Sequence, residues 1–288
     1  MQGRIEERQV TVGALPTRYL TGGEGQPLVL LHGVSESARS WGRILPALAR
    51  DWRVYAPDFP GFGGGDVPDE VSPVAYADFI AAFLDALGLE RATVAGHSFG
   101  GLVATRLALA HPGRVAGLGL VASAGLGREV HPALRMLTLP GIGGAVARWG
   151  RTRPGAVGWA LQVGALLFAR PAHVPLAWLG RQYRLARQPG FLDATVAGLR
   201  SVLTIRGQRQ SQLVLDALPR LTMPTLVVWG AQDHVSPVRH AEAAATRLAQ
   251  GHLAIIPECG HLPQVECAEH VVSAFARLLS GGAPSAPA

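Results

Sequence analysis

The sequence predicts an α/β protein with a mostly parallel, doubly wound sheet of about eight strands and a helical insertion. Short apolar runs alternate along the chain with segments of helical periodicity, and this alternation is typical of parallel sheets covered on both faces. The alternation stops at about Gly125 and resumes near Pro224. The length of 288 residues corresponds to one large domain or two small ones.

Eight runs have the composition of strands. The last six are apolar throughout and are bounded by Gly, Pro or Asp, which predicts strands buried on both faces of the sheet. The predicted strands cover residues 9–15, 18–21, 28–31, 53–56, 92–95, 115–122, 225–229 and 253–256.

Helical periodicity separates these strands. The clearest pattern covers residues 79–87, where Ser72 and Pro73 mark the beginning of the helix and Gly88 marks its end. Weaker patterns predict a helix over residues 41–48, in spite of Pro46, one that begins at Ser236 and Pro237, and one over residues 271–279.

The middle of the chain is organised differently from its two ends. Helical segments punctuated by Gly and Pro, such as 156–169 and 174–187, replace strands there. We interpret residues 125–212 as an inserted helical cap. Residues 1–124 and 213–280 then form the core domain, and residues 281–288, which contain only Gly, Ala, Pro and Ser, are predicted to be a disordered tail.

The charges are distributed unevenly. All 26 basic residues are arginine, and residues 125–212 hold 12 of them against only Glu129 and Asp193, a net charge of +10, while the rest of the chain carries −4. The preferred interpretation is a solvated helical surface, and the alternative is attraction of anionic substrates or of an acidic surface. Nucleic acid is not expected as a partner, because no stacking motif is interleaved with the arginines.

Some classes of protein are not expected. No run of about 18 apolar residues is present, so no transmembrane segment is predicted. The first 25 residues contain no apolar core typical of a signal peptide, and a cytoplasmic location is expected. Cys259 and Cys267 are too few for a disulfide framework, so free thiols are expected.

The strongest functional motif is the Gly-His-Ser-Phe-Gly-Gly sequence of residues 96–101. It directly follows a predicted strand and precedes the helical pattern of residues 102–110. A G-x-S-x-G sequence in this context forms a tight turn that exposes its serine at a helix N-terminus, where free N–H groups favour negative charge. Ser98 is therefore the candidate nucleophile.

A serine hydroxyl needs a base to remove its proton, and the base needs an acid to orient it. Asp233 follows a strand, and His261 follows the last strand, so the chain order is Ser98, Asp233, His261. Of the ten histidines, His261 alone has a preceding glycine, a preceding strand and a position after the acid. Asp216 is the weaker candidate acid, because it lies in a helical stretch. Asp233 has a competing interpretation as a turn residue that caps the next helix.

Acyl transfer also requires two N–H groups that stabilise an oxyanion. The residue after the nucleophile supplies one of them, so we expect the Phe99 N–H, and the loop after strand 28–31 supplies the second through Val34. The glycine-rich segment 61–66 lacks the lysine and the glycine spacing of a phosphate loop. Asp58 is interpreted as a residue that organises its loop.

Together these motifs, with the His-Gly pairs at 32–33 and 260–261 and the turn at 58–63, resemble the α/β-hydrolase superfamily over roughly residues 5 to 280. The resemblance implies the α/β-hydrolase fold with a cap after the sixth strand. It further implies Ser98 as nucleophile, Asp233 as acid, His261 as base, and Val34 and Phe99 as oxyanion donors. No metal or organic cofactor is implied.

The expected activity is that of a capped, esterase-like serine hydrolase, which cleaves a carboxylic ester of a small, largely apolar substrate through an acyl-enzyme. Carbon–carbon bond hydrolases of ring-cleavage pathways usually have Gly-Pro-Gly in the oxyanion loop and Trp after the histidine, whereas this chain has Val-Ser-Glu-Ser at 34–37 and Leu262. That activity is the second candidate. An acyltransferase and a ligand-binding protein without turnover remain further alternatives.

The apolar residues of the predicted cap have two interpretations. They line a pocket for the substrate, or they form the small core of the cap itself, which we expect for most of them. These residues are Trp149, Trp159, Leu166, Leu167, Phe168 and Trp178.

Overall fold

The protein is described from a computed structural model that covers residues 4–62 and 67–279. The tail 281–288 and most of the glycine-rich segment 61–66 lie outside the described residues. Eight strands form one sheet in the order β1-β2-β4-β3-β5-β6-β9-β10, and β7 pairs with β8 in a separate hairpin. The strands are β1 (Glu6–Val12), β2 (Leu15–Gly22), β3 (Gln26–Leu31), β4 (Trp52–Pro57), β5 (Ala92–His97), β6 (Val115–Val121), β7 (Leu203–Thr204), β8 (Gly207–Gln208), β9 (Thr225–Gly230) and β10 (Gly251–Ile256).

The sheet is mostly parallel, as the sequence predicts. Strand β2 pairs antiparallel with β1 and β4, and every pair from β4 to β10 is parallel. In the register of β3 and β5, Leu31 is the partner of Gly96. The loops that follow these two strands therefore lie side by side at the carboxyl edge of the sheet.

Helices cover both faces of the sheet. Two buried clusters result: one contains Leu102 of α3 and Ile80 of α2, and the other contains Trp41 and Phe275 of α11. The helices are α1 (Leu45–Leu48), α2 (Pro73–Ala86), α3 (Phe99–Ala110), α4 (Pro132–Met136), α5 (Ile142–Gly150), α6 (Arg153–Leu167), α7 (Leu176–Ala186), α8 (Phe191–Val202), α9 (Arg239–Ala245), α10 (Pro263–Glu266) and α11 (Ala268–Leu279). No helix among the described residues is long and apolar enough to cross a bilayer.

The helix signals of the sequence act as predicted in α2. The Ser72 hydroxyl accepts the Ala75 N–H at 3.1 Å, and Pro73 occupies the first turn. Gly88, with φ of +67°, follows the last turn. The predicted helix over residues 41–48 is wrong in part, because a 3₁₀ turn ends at Trp41 and α1 begins only at Leu45. Pro46 lies in the first turn of α1, where its missing N–H costs nothing.

Strand β10 differs from the expectation of burial on both faces. Its residues alternate between exposed and partly buried, and the side chains of Leu253 and Ile255 are exposed. The reason is position: β10 is the edge strand and pairs only with β9. A short apolar run does not distinguish an edge strand from a central one.

Helices α4 to α8 and the β7–β8 hairpin lie between β6 and β9 in the chain. Helix α6 packs against α5 and α7, and α8 contacts α5 and α7. We keep the name cap for residues 125–212. Their division from the core as a separate domain stays a prediction.

Candidate active site

Ser98 lies on a tight turn between β5 and α3. Its backbone has φ of +50° and ψ of −114°, a conformation that is strained for a residue with a side chain. The neighbouring glycines make this turn possible: a Cβ on Gly96 would lie 2.1 Å from the Gly100 carbonyl oxygen, and one on Gly100 would lie 2.4 Å from the Leu31 oxygen. The small residues of the motif are therefore required by close backbone packing.

The structure brings the three predicted triad residues together. The His261 imidazole lies 3.1 Å from the Ser98 hydroxyl through Nε2 and 2.8 Å from Asp233 Oδ2 through Nδ1. The side chain of Asp233 has no exposed surface and that of His261 is 4% exposed. Since the carboxylate only accepts, Nδ1 carries a proton and donates to it, which leaves Nε2 free to accept the proton of Ser98.

The competing interpretation of Asp233 is correct for the turn and wrong for the helix cap, because α9 begins at Arg239 and its N-cap residue is Val238. Asp233 Oδ1 accepts the N–H groups of Val235 at 2.7 Å and Ser236 at 3.0 Å, so one carboxyl organises the turn and orients the histidine at once.

Asp216 is not part of this cluster. Its side chain is 93% exposed and forms an ion pair with Arg247 on the surface.

The two predicted oxyanion donors lie in two segments of the chain that contact each other. Phe99 is the first residue of α3, and its N–H has no acceptor among the described residues. Within the same described part of the chain, the Val34 N–H is likewise without a partner. A Cβ on Gly33 would lie 2.8 Å from the His97 ring, so the loop that contains Val34 is in contact with the turn that contains Ser98.

Two histidines of the motifs hold these loops. His32 Nε2 accepts the Phe59 N–H at 3.0 Å, and its Nδ1 therefore donates to the Gly33 oxygen at 2.8 Å. His97 Nε2 donates to the carbonyl of His261 at 2.7 Å. Burial holds the pKa of His97 well below its usual value, and the nearby His261 lowers it further. His97 is therefore a neutral donor that supports the backbone of the candidate base, a contact that its place in the motif does not reveal.

Asp58 organises its loop, as interpreted from the sequence. Its two oxygens accept the Ala38 N–H at 2.7 Å and the Arg18 guanidinium at 2.8 Å. This places the turn after β4 against the segment that follows the oxyanion loop.

Glu36 is a buried acid that sequence reasoning missed. Its Oε1 accepts the amide of Gln182 at 3.2 Å, and the same amide donates to the Ser35 carbonyl at 3.2 Å. Burial raises the pKa of Glu36, although the nearby Arg181 acts in the opposite direction. The pair ties the oxyanion loop to α7 of the cap. An acidic residue in a loop is usually exposed, so composition gave no signal for it.

A cavity of about 590 Å³ lies between the cap helices and the loop that contains Asp233. His234 and His131 line it on one side, and Trp159 and Gln162 of α6 line it on the other. Most of the other lining side chains are apolar, and none is an arginine. The positive charge of the cap is therefore not concentrated on the wall of this cavity.

The apolar residues of the cap differ in where their side chains lie. Phe168 and Trp178 are buried against each other, with ring centroids 5.1 Å apart, as expected for a core of the cap. Trp159 and Leu166 line the cavity. Trp149 is neither, because it is 49% exposed.

The part of the chain that the structure describes shows no cluster of metal ligands beside Ser98, Asp233 and His261. Within residues 4–62 and 67–279, no group of three or more His, Cys, Asp or Glu side chains is arranged to hold a metal ion. Cys259 and Cys267 are free thiols.

Known proteins match nearly the whole length of this chain. The chain is 34% identical over 278 residues to the dihydrolipoyllysine-residue acetyltransferase component of an acetoin cleaving system of Pseudomonas putida, which covers 94% of this chain and 68% of that protein. It is 31% identical to the 2-hydroxy-6-oxo-6-(2'-aminophenyl)hexa-2,4-dienoic acid hydrolase of Metapseudomonas resinovorans, over 95% of this chain and 91% of the relative.

A solved structure and a family model complete the comparison. The thermophilic esterase of Thermogutta terrifontis superposes with a TM-score of 0.74 at 28% identity and covers 96% of this chain and 98% of the esterase. The family model described as alpha/beta hydrolase fold matches residues 26–267. The chain therefore belongs to the alpha/beta hydrolase family.

Proposed function

We propose that this protein is a serine hydrolase that cleaves a carboxylic ester through an acyl-enzyme. One observation carries the proposal: His261 contacts both Ser98, at 3.1 Å, and Asp233, at 2.8 Å, through its two ring nitrogens. This arrangement supplies an activated nucleophile, a base and an orienting acid.

The proposed reaction has two halves. In the first, His261 Nε2 takes the proton of Ser98 Oγ while the oxygen attacks the ester carbonyl, and the N–H groups of Val34 and Phe99 stabilise the oxyanion. The protonated imidazole then gives the proton to the leaving alcohol. In the second half, His261 activates a water molecule in the same manner, and the acid product leaves Ser98 free.

The cavity under the cap, which adjoins the site through His234 and is not lined by Ser98 or His261, supports an apolar substrate. Its wall combines aliphatic and aromatic side chains such as Leu134, Val163 and Trp159 with the neutral polar amide of Gln162. Burial of an acyl or aryl group there is favourable by about 25 cal/mol for each Å² removed from water. We therefore propose a small, largely apolar ester as substrate.

A second candidate is hydrolysis of a carbon–carbon bond in a ring-cleavage product. The 31% identity to a hexadienoic acid hydrolase over nearly the whole length of both chains favours it.

The 34% identity to an acetyltransferase component keeps acyl transfer to another acceptor as a third candidate. A ligand-binding protein without turnover is the least favoured, because His261 contacts both Ser98 and Asp233.

A panel of substrates separates these candidates. The purified protein would be given p-nitrophenyl esters of increasing chain length, a ring-cleavage dienone, and an ester together with an added alcohol. Ester hydrolysis predicts release of p-nitrophenol with the highest kcat/KM on a short acyl chain. A higher kcat/KM on the dienone would replace the proposal with the second candidate, and a new ester formed from the alcohol would identify acyl transfer. A fluorophosphonate probe that fails to label Ser98 would contradict all three activities.

A further inference from the structure

Helix α6 is apolar on both of its faces, although one face is exposed. Arg153 and Gln162 are its only polar side chains in 15 residues. The buried face contains Ala156, Trp159 and Val163, and the opposite face contains Val157 and Leu161, which are 49% and 56% exposed. A surface helix of a globular protein normally has a polar outer face. This outer face therefore lacks the polar character that exposure to water favours.

The exposed apolar residues form one continuous patch. The Trp149 indole of the preceding helix lies over α6, since a Cβ on Gly158 would be 2.6 Å from its Cη2 atom. Residues 157 and 161 are one turn apart on the same side of α6 as position 158. We call Trp149, Val157, Gly158 and Leu161 the α6 patch. Contiguous exposed apolar surface of this kind marks a site of interaction with a protein or a membrane.

Two exposed arginines lie next to the α6 patch in the chain. Arg148 and Arg153 flank it in the chain and are exposed, and no carboxylate in the described parts of the chain forms an ion pair with either. They belong to a segment with a net charge of +10, beside a core with −4. Arg153 lies one helical turn before Val157 on the same side of α6, so an unpaired cation borders the patch there, whereas Arg151 is paired with Asp193.

We propose that the α6 patch docks onto the surface of an anionic phospholipid bilayer. An apolar strip that contains Trp, bordered by arginines, matches the interface of such a bilayer, where aromatic rings lie at the level of the headgroups and cations contact lipid phosphates. A second copy of the chain fits less well, because a symmetric cap-to-cap contact brings two surfaces of the same charge together.

The α6 patch adjoins the cavity under the cap. Gln162 is exposed beside Leu161 on α6 and also lines the cavity under the cap. A bilayer against the α6 patch therefore lies next to one wall of the cavity. Apolar molecules dissolved in the bilayer reach that wall over a short path.

Binding to vesicles tests the proposal without reference to any activity. The full chain would be sedimented with vesicles of phosphatidylcholine alone and with vesicles that also contain phosphatidylglycerol, at low and high salt. We expect binding to the anionic vesicles that decreases as salt rises, because surface charges are screened, and little binding to the neutral ones.

Matched variants locate the contact. Trp149→Ser with Leu161→Ser should reduce partitioning to anionic vesicles at least tenfold, and Arg148→Glu with Arg153→Glu should reduce it at least twentyfold, since each arginine contributes about a fivefold effect. The control is Leu253→Ser with Ile255→Ser, which removes two exposed apolar side chains from the edge strand β10. This control should bind like the unchanged protein, and circular dichroism would confirm that all variants are folded.

Three results would overturn the proposal. The first is absence of binding to anionic vesicles at low salt. The second is equal loss of binding in the control and in the α6 patch variants. The third is a concentration-dependent dimer in size-exclusion chromatography that Trp149→Ser with Leu161→Ser abolishes, because the patch would then contact a second copy.

Discussion

Glu266 accepts the backbone N–H of Gly260, the residue before the candidate base, at 2.7 Å. The same carboxylate accepts the Ala169 N–H at the end of α6, at 3.1 and 3.2 Å from its two oxygens. The His261 N–H donates to the Leu167 carbonyl at 2.8 Å. Two of these contacts join residues 260–266 to the cap, through Leu167 and Ala169, and Glu266 also holds the Gly260 N–H within that segment.

We predict that Glu266→Ala lowers kcat by about tenfold to a hundredfold, because a small displacement of the imidazole from Ser98 is costly for catalysis. KM should change little, since Glu266 does not line the cavity. Glu266→Gln keeps an acceptor oxygen and should recover part of the rate. Glu269→Gln, which alters an exposed acid of the next helix, is the matched control and should have no effect.

The rate of fluorophosphonate labelling separates positioning from stability. If Glu266→Ala lowers the melting temperature but labels Ser98 at the unchanged rate well below that temperature, the residue only stabilises the fold. A slower labelling rate in the folded variant is the expected result.

Ser98→Ala should abolish ester cleavage and leave the fold intact. Loss of the nucleophile removes the covalent route, so kcat should fall by about 10⁴-fold or more, and only the contribution of binding and of the oxyanion donors remains. The measurement is p-nitrophenol release by the purified variant, with circular dichroism as the control for folding. More than a tenth of the original activity would rule out Ser98 as nucleophile.

His261→Ala should be about as damaging as the serine substitution, and Asp233→Asn should also lose activity, because an amide no longer holds the required tautomer of the imidazole. The double variant should be no worse than His261→Ala, since the residues act as one unit. Asp216→Asn is the control, because that side chain is on the surface. If Asp233→Asn stays active and Asp216→Asn is inactive, the orienting acid is Asp216 and not Asp233.

The buried carboxyl of Glu36 should make the stability of the folded protein depend on pH. Burial raises the pKa of Glu36 in the folded state. The stability that this carboxyl contributes is therefore fully present below the pKa of Glu36 in the unfolded chain, and it is lost as the pH rises through the pKa of Glu36 in the folded protein. Glu36→Gln has nearly the same shape and no charge at any pH. The free energy of unfolding of the variant should therefore increase relative to the unchanged protein between pH 4 and pH 8, as measured by urea denaturation. A decrease in the free energy of unfolding of Glu36→Gln relative to the unchanged protein over that range would show that the attraction of Arg181 for the Glu36 carboxylate outweighs burial.

The parts of the site that sequence predicts are those set by local geometry. A serine at positive φ between two close backbone contacts requires a run such as Gly-x-Ser-x-Gly-Gly, so residues 96–101 reveal both the turn and its position after a strand. Asp233 and His261 are predicted for a related reason, because each follows a parallel strand and such strands end at the same edge of the sheet.

The parts that sequence misses depend on tertiary packing. Whether an apolar side chain is buried depends on what covers it. The sequence predicts Leu253 in a buried strand and Trp149 in a pocket or in the core of the cap, and both are exposed. Glu36 and Glu266 bind residues that are far away in the chain, Gln182 and Ala169, and no local pattern encodes such partners.

The turn that holds Ser98 depends on the missing side chain of Gly100. A Cβ on Gly100 would lie 2.4 Å from the Leu31 oxygen and 2.5 Å from the His32 oxygen, which are backbone atoms of the central sheet and of the oxyanion loop and cannot move away independently. Gly100→Ala should therefore lower the free energy of unfolding by about 1–3 kcal/mol or more, in the range of overpacked cores.

The matched control is Gly113→Ala, because a Cβ at that position has no atom within 4 Å and its backbone is not at positive φ. That substitution should leave stability unchanged or raise it by less than about 1 kcal/mol, through reduced freedom of the unfolded chain. Urea denaturation of both variants measures the difference, and labelling of Ser98 reports the turn itself. Equal stability and equal labelling of the two variants would mean that the contact between α3 and β3 is looser than the distances indicate.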